Sequence, residues 1–215
     1  MSTSSSRRAA LGAATLGAGL VLVLAGCGTD DSSTASGASS AASSGMAGMD
    51  HGGGSAAPSS ATRTDFVDAD VTFLQMMYPH HAQAVEMAKL APGRSQNAQL
   101  LALATAIDKA QGPEMTKIAG LLKDFGQPAP SASGDHAAMS GMMSPDQMAS
   151  LQKLSGTAFD REWLQMMIEH HTGAVTMANT ETASGTNPDA KALAQSIITN
   201  QQAEITQMRT MLTQS

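Results

Sequence analysis

The sequence predicts an all-α protein whose folded part is a four-helix bundle built from two repeated helix hairpins. Three observations lead to this prediction. Apolar residues recur at helical spacing, no segment alternates as a strand would, and the motif FLQMMYPHHAQAVEMA (residues 73–88) returns as WLQMMIEHHTGAVTMA (residues 163–178). An internal repeat of this kind indicates two copies of one supersecondary unit.

The repeat extends beyond the histidine motif into a second helix of each copy. At a constant offset of 90 residues, Gln111 and Glu114 match Gln201 and Glu204. Each copy is therefore a helix hairpin, and because one hairpin buries little apolar surface, we expect the two to pack face to face. The first repeat covers about residues 65–126, a linker covers 127–144, and the second repeat covers about 145–215.

Helix starts are predicted from capping residues and prolines. Ser95 is expected to cap the second helix, Ser144-Pro145 has the form of an N-cap and first helical position, and Asn187-Pro188 signals another start. The predicted long helices cover about residues 65–90, 96–125, 157–182 and 188 to the C-terminus, with a short helix from residue 145.

The N-terminus has the pattern of an export signal. Arg7 and Arg8 precede an apolar run over residues 9–26, and small residues lead to Cys27. The order Leu-Ala-Gly-Cys resembles a bacterial lipobox, in which the cysteine is lipidated and becomes the mature N-terminus once residues 1–26 are removed. The alternative is an uncleaved membrane anchor, for which the run is only marginally long. We therefore predict an exported, lipid-anchored protein on the extracytoplasmic face of the cell membrane.

Charge and cysteine content exclude several functions. Cys27 is the single cysteine of the 215 residues, so no disulfide and no catalytic or metal-binding thiolate is expected. Removal of residues 1–26 takes away two arginines and no acidic residue, which changes the net charge from −6 to −8. An acidic mature chain argues against nucleic acid as a partner.

Helical geometry places the histidine pairs beside the core-facing stripe. With Met76 at zero and about 100° per residue, His80 lies near 40° and His81 near 140°, on either side of Phe73 and Ala84. The two histidines therefore straddle the face that we expect to be buried. The same holds for the pair in the second copy.

Thioether and imidazole groups one turn apart can chelate a soft or borderline ion, and copper fits this donor set best. Zinc fits less well, because methionine is a poor zinc ligand and no cysteine is available. Packing remains the alternative for each methionine taken singly. The candidate metal ligands are His80, His81, His170, His171, Met76, Met77, Met87, Met166, Met167 and Met177. Glu114 and Glu204 are candidates either for oxygen ligation or for holding a histidine by a hydrogen bond.

Two further clusters lie in polar segments that have no evident core to fill. The Ser/Ala/Gly-rich segment 27–64 is predicted to be a flexible tether, and it contains the first cluster. The linker 127–144 contains the second. Because packing does not account for methionine in such segments, we expect these side chains to bind copper: Met46, Met49, His51, His136, Met139, Met142 and Met143.

The two histidine motifs, followed by QGPEM and QQAEITQM, resemble the DUF305 family (domain of unknown function). The family pattern is a methionine before His-His, then a small residue and a methionine, with a later Gln-x-x-Glu. The resemblance covers about residue 65 to the C-terminus. It implies a ferritin-like helical bundle, usually exported, with several members linked to copper binding or tolerance.

The leading functional prediction is a non-enzymatic copper-binding protein that sequesters or relays the ion and exchanges it with a donor or acceptor protein. A metal-free scaffold of the envelope is the alternative. A di-iron enzyme is disfavoured because that centre needs Glu-x-x-His motifs, and Met77 and Met167 occupy the position three residues before each pair. The oligomeric state is left open.

Overall fold

A computed structural model describes residues 61–132 and 139–214 of the chain. The described part contains five α-helices and no strand, which confirms the all-α prediction. The helices are α1 (Asp68–Leu90), α2 (Ala98–Asp124), α3 (Pro145–Lys153), α4 (Gly156–Ser184) and α5 (Pro188–Gln214). A short 3₁₀ turn, Ala91–Gly93, follows α1.

The long helices form two hairpins, as the repeat predicts. Helix α1 packs along α2, α4 packs along α5, and the hairpins meet mainly through α1 and α4. Trp163 of α4 illustrates this seam, because its indole N–H donates to the Met87 carbonyl of α1 at 2.9 Å. The short helix α3 contacts the start of the second hairpin through α4.

Local side-chain chemistry explains most helix starts. Ser144 accepts from the backbone N–H of Gln147, whose side chain in turn accepts from the Ser144 N–H, so the predicted cap of α3 is confirmed. Asn187 likewise caps α5. The prediction for Ser95 was wrong: Asn97 caps α2. The Ser95 hydroxyl instead accepts from the Asn97 N–H at 3.0 Å.

The hydrophobic core divides into two clusters. One cluster contains Trp163 and the C-terminal half of α1, and the other contains Phe73 near the start of α1 together with the end of α2. Each of the four long helices places buried polar residues between the two clusters, so a buried polar layer crosses the middle of the bundle. None of the helices in residues 61–132 and 139–214 is long and apolar enough to cross a membrane.

Candidate metal centre

The polar layer brings together side chains from all four long helices, two from each. The histidines of α1 and α4 are fully buried. The side chains of α2 and α5 that lie at the same level are the glutamine and glutamate of each repeat. The eight polar-layer residues are His80, His81, Gln111, Glu114, His170, His171, Gln201 and Glu204.

His80 and His170 meet across the α1–α4 seam, with ring centroids 3.8 Å apart and ring planes tilted by 41°. Burial first, and then the proximity of His81, lower the pKa of His80 to about 3. The pKa of His170 is also well below its ordinary value, first because of burial and then because of His80. Both rings are therefore neutral at pH 7 and keep a nitrogen lone pair available for a metal ion.

The second histidine of each pair is held by a glutamate of the same hairpin. His81 Nε2 lies 2.8 Å from Glu114 Oε2, and His171 Nε2 lies 2.7 Å from Glu204 Oε2. Because a carboxylate can only accept, Nε2 carries the proton and donates it, so in the neutral ring Nδ1 carries the lone pair. Of the two roles considered for the glutamates, the structure shows the one in which they orient a histidine.

Several nitrogen and oxygen atoms of the polar layer have no hydrogen-bond partner in the part of the chain that the structure describes. These are Nδ1 of all four histidines, Nε2 of His170, both amide atoms of Gln111 and the amide oxygen of Gln201. Leaving a buried polar atom unpaired costs about 1–3 kcal/mol. A layer that accumulates such atoms in both repeats is poorly explained by stability alone, and unpaired imidazole nitrogens are suited to metal binding.

Within the described ranges, however, no group of three or more His, Cys, Asp or Glu side chains is spaced to hold a metal ion. Thioethers would have to complete the donor set. Met77 lies one turn before His81 and Met167 one turn before His171, and both methionines are completely buried. The arrangement therefore fits a soft ion that accepts imidazole and thioether ligands better than one that needs several carboxylates.

The linker between the repeats covers one side of the polar layer. The Ser140 carbonyl accepts from His80 Nε2 at 3.2 Å. Gly141, with φ of 79°, brings the chain against α4 at Gly173, where a side chain would meet the Ser140 backbone. Gln83 holds the end of this segment by two hydrogen bonds to the Met143 backbone, at 2.7 and 2.8 Å.

The ten candidate ligands of the helices are not equivalent in the structure. The four histidines lie together, whereas the methionines fall into two groups. Met77, Met87, Met166 and Met167 are buried in the two hydrophobic clusters. Met76 and Met177 are partly exposed and line one cavity between α1 and α4.

The candidates of the tether and linker divide in a similar way. Met143 is 2% exposed and belongs to the hydrophobic core, so packing accounts for a methionine that the sequence placed in a segment without a core. The double hydrogen bond from Gln83 is the physical reason, since it fixes the Met143 backbone against α1. Met139 and Met142 are partly exposed. Cys27, Met46, Met49, His51 and His136 lie outside the described residues.

Sequence reasoning did not assign a role to the buried glutamines or to one carboxyl pair. The repeat offset already singled out Gln111 and Gln201, and their unpaired amides are the sign that they belong to the polar layer. Asp70 of α1 and Glu181 of α4 form the carboxyl pair. Burial first, and then the Asp70 carboxylate, raise the pKa of Glu181 to about 8. No sequence pattern signalled this contact.

The fold and the polar layer together define a class of helical protein. Its members consist of two repeated helix hairpins, each with a histidine pair on its first helix and a glutamate on its second. The chain belongs to the DUF305 family, domain of unknown function, which residues 70–212 match. Comparison with curated protein sequences gave no match.

Solved structures of the family are similar to this chain. A DUF305 fragment from Deinococcus radiodurans is 33% identical with a TM-score of 0.65, and covers 71% of this chain and 100% of its own. A DUF305 protein from Streptomyces coelicolor, described as secreted, is 31% identical with a TM-score of 0.63, and covers 68% and 93%. CopM in its Cu(II)-bound form is 31% identical with a TM-score of 0.61, and covers 67% and 96%. CopM has also been solved in a Cu(I)-bound form.

Proposed function

We propose that this protein binds copper outside the cytoplasm and sequesters or relays it, using the buried histidines of the polar layer as the central ligands. The observation that carries the proposal is the set of four unpaired Nδ1 atoms, two of which belong to histidines whose other nitrogen is held by Glu114 or Glu204. A carboxylate that orients a histidine in this way is a common companion of metal ligation. The role is binding, not catalysis.

Copper is the ion that the donor set favours. Neutral imidazole suits copper in both oxidation states, and thioether selects Cu(I). The burial that keeps His80 and His170 neutral also removes the proton that would compete with the ion. CopM, at 31% identity, has been crystallised with Cu(I), Cu(II) and silver, which supports the same choice of ion for this chain.

A copper titration of the mature chain, residues 27–215, tests the proposal. His81→Gln with His171→Gln is the sharpest variant, because the glutamine amide can still donate to Glu114 and Glu204 while Nδ1 is lost. We expect wild-type protein to bind Cu(I) stoichiometrically, in competition with a coloured chelator and with ascorbate as reductant. In the variant, affinity should fall by more than the about 10–100-fold that is typical when only a residue that orients a ligand is changed.

A control variant separates copper binding by the bundle from copper binding by the tether and linker. His51→Gln with His136→Gln removes the same number of histidines from the tether and linker. If the bundle variant binds copper as well as wild type and the control does not, the tether and linker hold the copper site. The same conclusion follows if substitution of all four bundle histidines leaves copper binding unchanged. Sub-stoichiometric copper in protein purified from its native envelope would instead favour a metal-free scaffold.

We also propose that Cys27 carries the lipid anchor and that copper is exchanged with a donor or acceptor protein at the membrane surface. The lipobox order before Cys27 supports the anchor, and the secreted relative supports an extracytoplasmic location. Cys27→Ser should release the protein from membranes in a fractionation experiment and prevent incorporation of labelled fatty acid. A Cys27→Ser protein that stays in the membrane fraction would indicate an uncleaved N-terminal anchor.

A further inference from the structure

A cavity lies between α1 and α4 beside the polar layer. It has a volume of about 250 Å³, and its wall includes Met76 of α1 and Met177 of α4 together with Phe73. Both methionines are partly exposed, so the cavity is reached from the surface. Two thioether side chains from different hairpins therefore line one solvent-reachable space.

The repeat supplies an internal comparison for this pair. The residues equivalent to Met76 and Met177 are Met166 and Met87, which are 4% and 0% exposed. There, Trp163 occupies the position that Phe73 has in the first copy, and its indole donates to the Met87 carbonyl at 2.9 Å. Trp163, which is larger than Phe73, therefore lies at the end of the α1–α4 interface where the two methionines are buried. Packing thus accounts for Met87 and Met166, but it leaves Met76 and Met177 lining an open cavity.

The cavity also has a defined chemical preference. Its wall is largely apolar, and the one ionisable side chain that residues 61–132 and 139–214 contribute to it, Glu181, faces the Asp70 carboxylate. Within the same ranges no imidazole and no thiol lines the cavity. Thioethers without a charged ligand select a soft monovalent ion such as Cu(I) or Ag(I), and they offer little to Cu(II) or Zn²⁺.

The position of the cavity connects it to the histidines. Met76 precedes His80 by one helical turn, so the thioether and the imidazole lie on neighbouring turns of α1. The linker contacts His80 through the Ser140 carbonyl and packs on Gly173. The methionine cavity is reached from the surface, and Met76 in its wall lies one helical turn from the buried His80.

We propose that Met76 and Met177 form a loading site for Cu(I), which captures the ion at the surface and passes it to the histidines of the polar layer. This inference rests on the proposed copper-binding function and adds to it a place and an order of events. Capture on thioethers precedes binding to imidazole. The loading site holds the ion more weakly than the polar layer does, so it governs the rate of uptake and not the final affinity.

The test compares two double variants that each remove two thioethers and keep similar side-chain volume. Met76→Leu with Met177→Leu alters the cavity, and Met87→Leu with Met166→Leu alters the repeat-equivalent packed pair. Cu(I) is presented as its bicinchoninate complex in ascorbate, and its transfer to the mature protein is followed by stopped-flow absorbance. Circular dichroism establishes that both variants retain the helical fold.

We expect the cavity variant to take up Cu(I) about tenfold more slowly or worse, while the tighter histidine site still fills at equilibrium. The packed-pair variant should load at the wild-type rate. A second measurement uses Ag(I) with ¹³C-methyl-methionine: once the tighter histidine site is filled, further Ag(I) should shift the Met76 and Met177 resonances and leave those of Met87 and Met166 unchanged.

The outcomes separate the two proposals. If wild-type protein binds no copper, the proposed function fails. If wild-type protein binds copper but the cavity variant loads at an unchanged rate, the loading site is wrong and the function stands. Equal slowing in both variants would also overturn the loading site, because the effect would then not belong to the cavity.

Discussion

Substitution of Gly173 by alanine should open the cover over the polar layer. A Cβ atom at this position would lie 2.5 Å from the Ser140 carbonyl carbon and closer still to the carbonyl oxygen, both of them backbone atoms. Neither helix α4 nor the linker can relieve this overlap by changing a rotamer. The linker must move away, and with it the carbonyl that accepts from His80 Nε2.

The size of the effect follows from three contributions. Overpacking against a backbone costs about 1–3 kcal/mol. Loss of the His80–Ser140 hydrogen bond costs about 0.5–1.5 kcal/mol. Alanine recovers up to about 1 kcal/mol of helix propensity. Gly173→Ala should therefore lower the free energy of unfolding by about 1–3 kcal/mol.

Gly120 of α2 is the matched control, since a Cβ there would meet nothing within 4 Å. Gly120→Ala should gain about 1 kcal/mol, so the two variants should differ by about 2–4 kcal/mol in urea unfolding of the metal-free protein. The reasoning is refuted if Gly173→Ala is as stable as Gly120→Ala. Proteolysis within residues 139–143 should also be faster in Gly173→Ala than in the control.

Three further predictions concern the carboxyl pair, a helix cap and the glutamates of the polar layer. Because the pKa of Glu181 is raised from 4.5 to about 8, its contribution to stability is present at low pH and is lost as the pH rises through about 8. Glu181→Gln, which keeps a donor for Asp70, should remove this fall in urea unfolding between pH 5 and 9; an unchanged slope would contradict it. Asn97→Ala should lower the free energy of unfolding by about 0.5–2 kcal/mol, and no loss would show that the cap is unimportant. Glu114→Gln with Glu204→Gln should weaken copper binding by about 10–100-fold in the chelator titration, whereas equal affinity would separate the glutamates from the site.

Much of the fold could be predicted from the sequence because the internal repeat defines the two hairpins. The offset that pairs His80 with His170 also pairs Gln111 with Gln201, and that was sufficient to predict two hairpins. Helical angles placed the histidines at the edge of the buried face, and the structure shows them completely buried. Caps were harder, since Ser95 and Asn97 are both good N-cap residues and only the backbone geometry decides between them.

The arrangement of side chains inside the site was harder to predict from the sequence, because it depends on which sides of the helices meet. Sequence alone treated Met76 and Met166 alike, yet one lines an open cavity and the other is packed. The difference arises from Phe73 and Trp163, which differ in size at matching positions. Met143 was misread for a similar reason, since its burial follows from a contact between the linker and Gln83 that no local pattern records.

The meeting of His80 with His170 across the seam has a consequence for how such a protein arises. A single hairpin that pairs with an identical copy about a twofold axis would place the same residue from each copy opposite its twin, as these two rings are placed. In such a homodimer every substitution appears twice. Joining the copies in one polypeptide removes that constraint. Here one end of the seam has a tryptophan where the other has a phenylalanine, and among the described residues the Ser140 carbonyl accepts from the ring of His80 and not from that of His170. With both copies in one chain, the histidine pairs remain alike while the side chains around each pair differ.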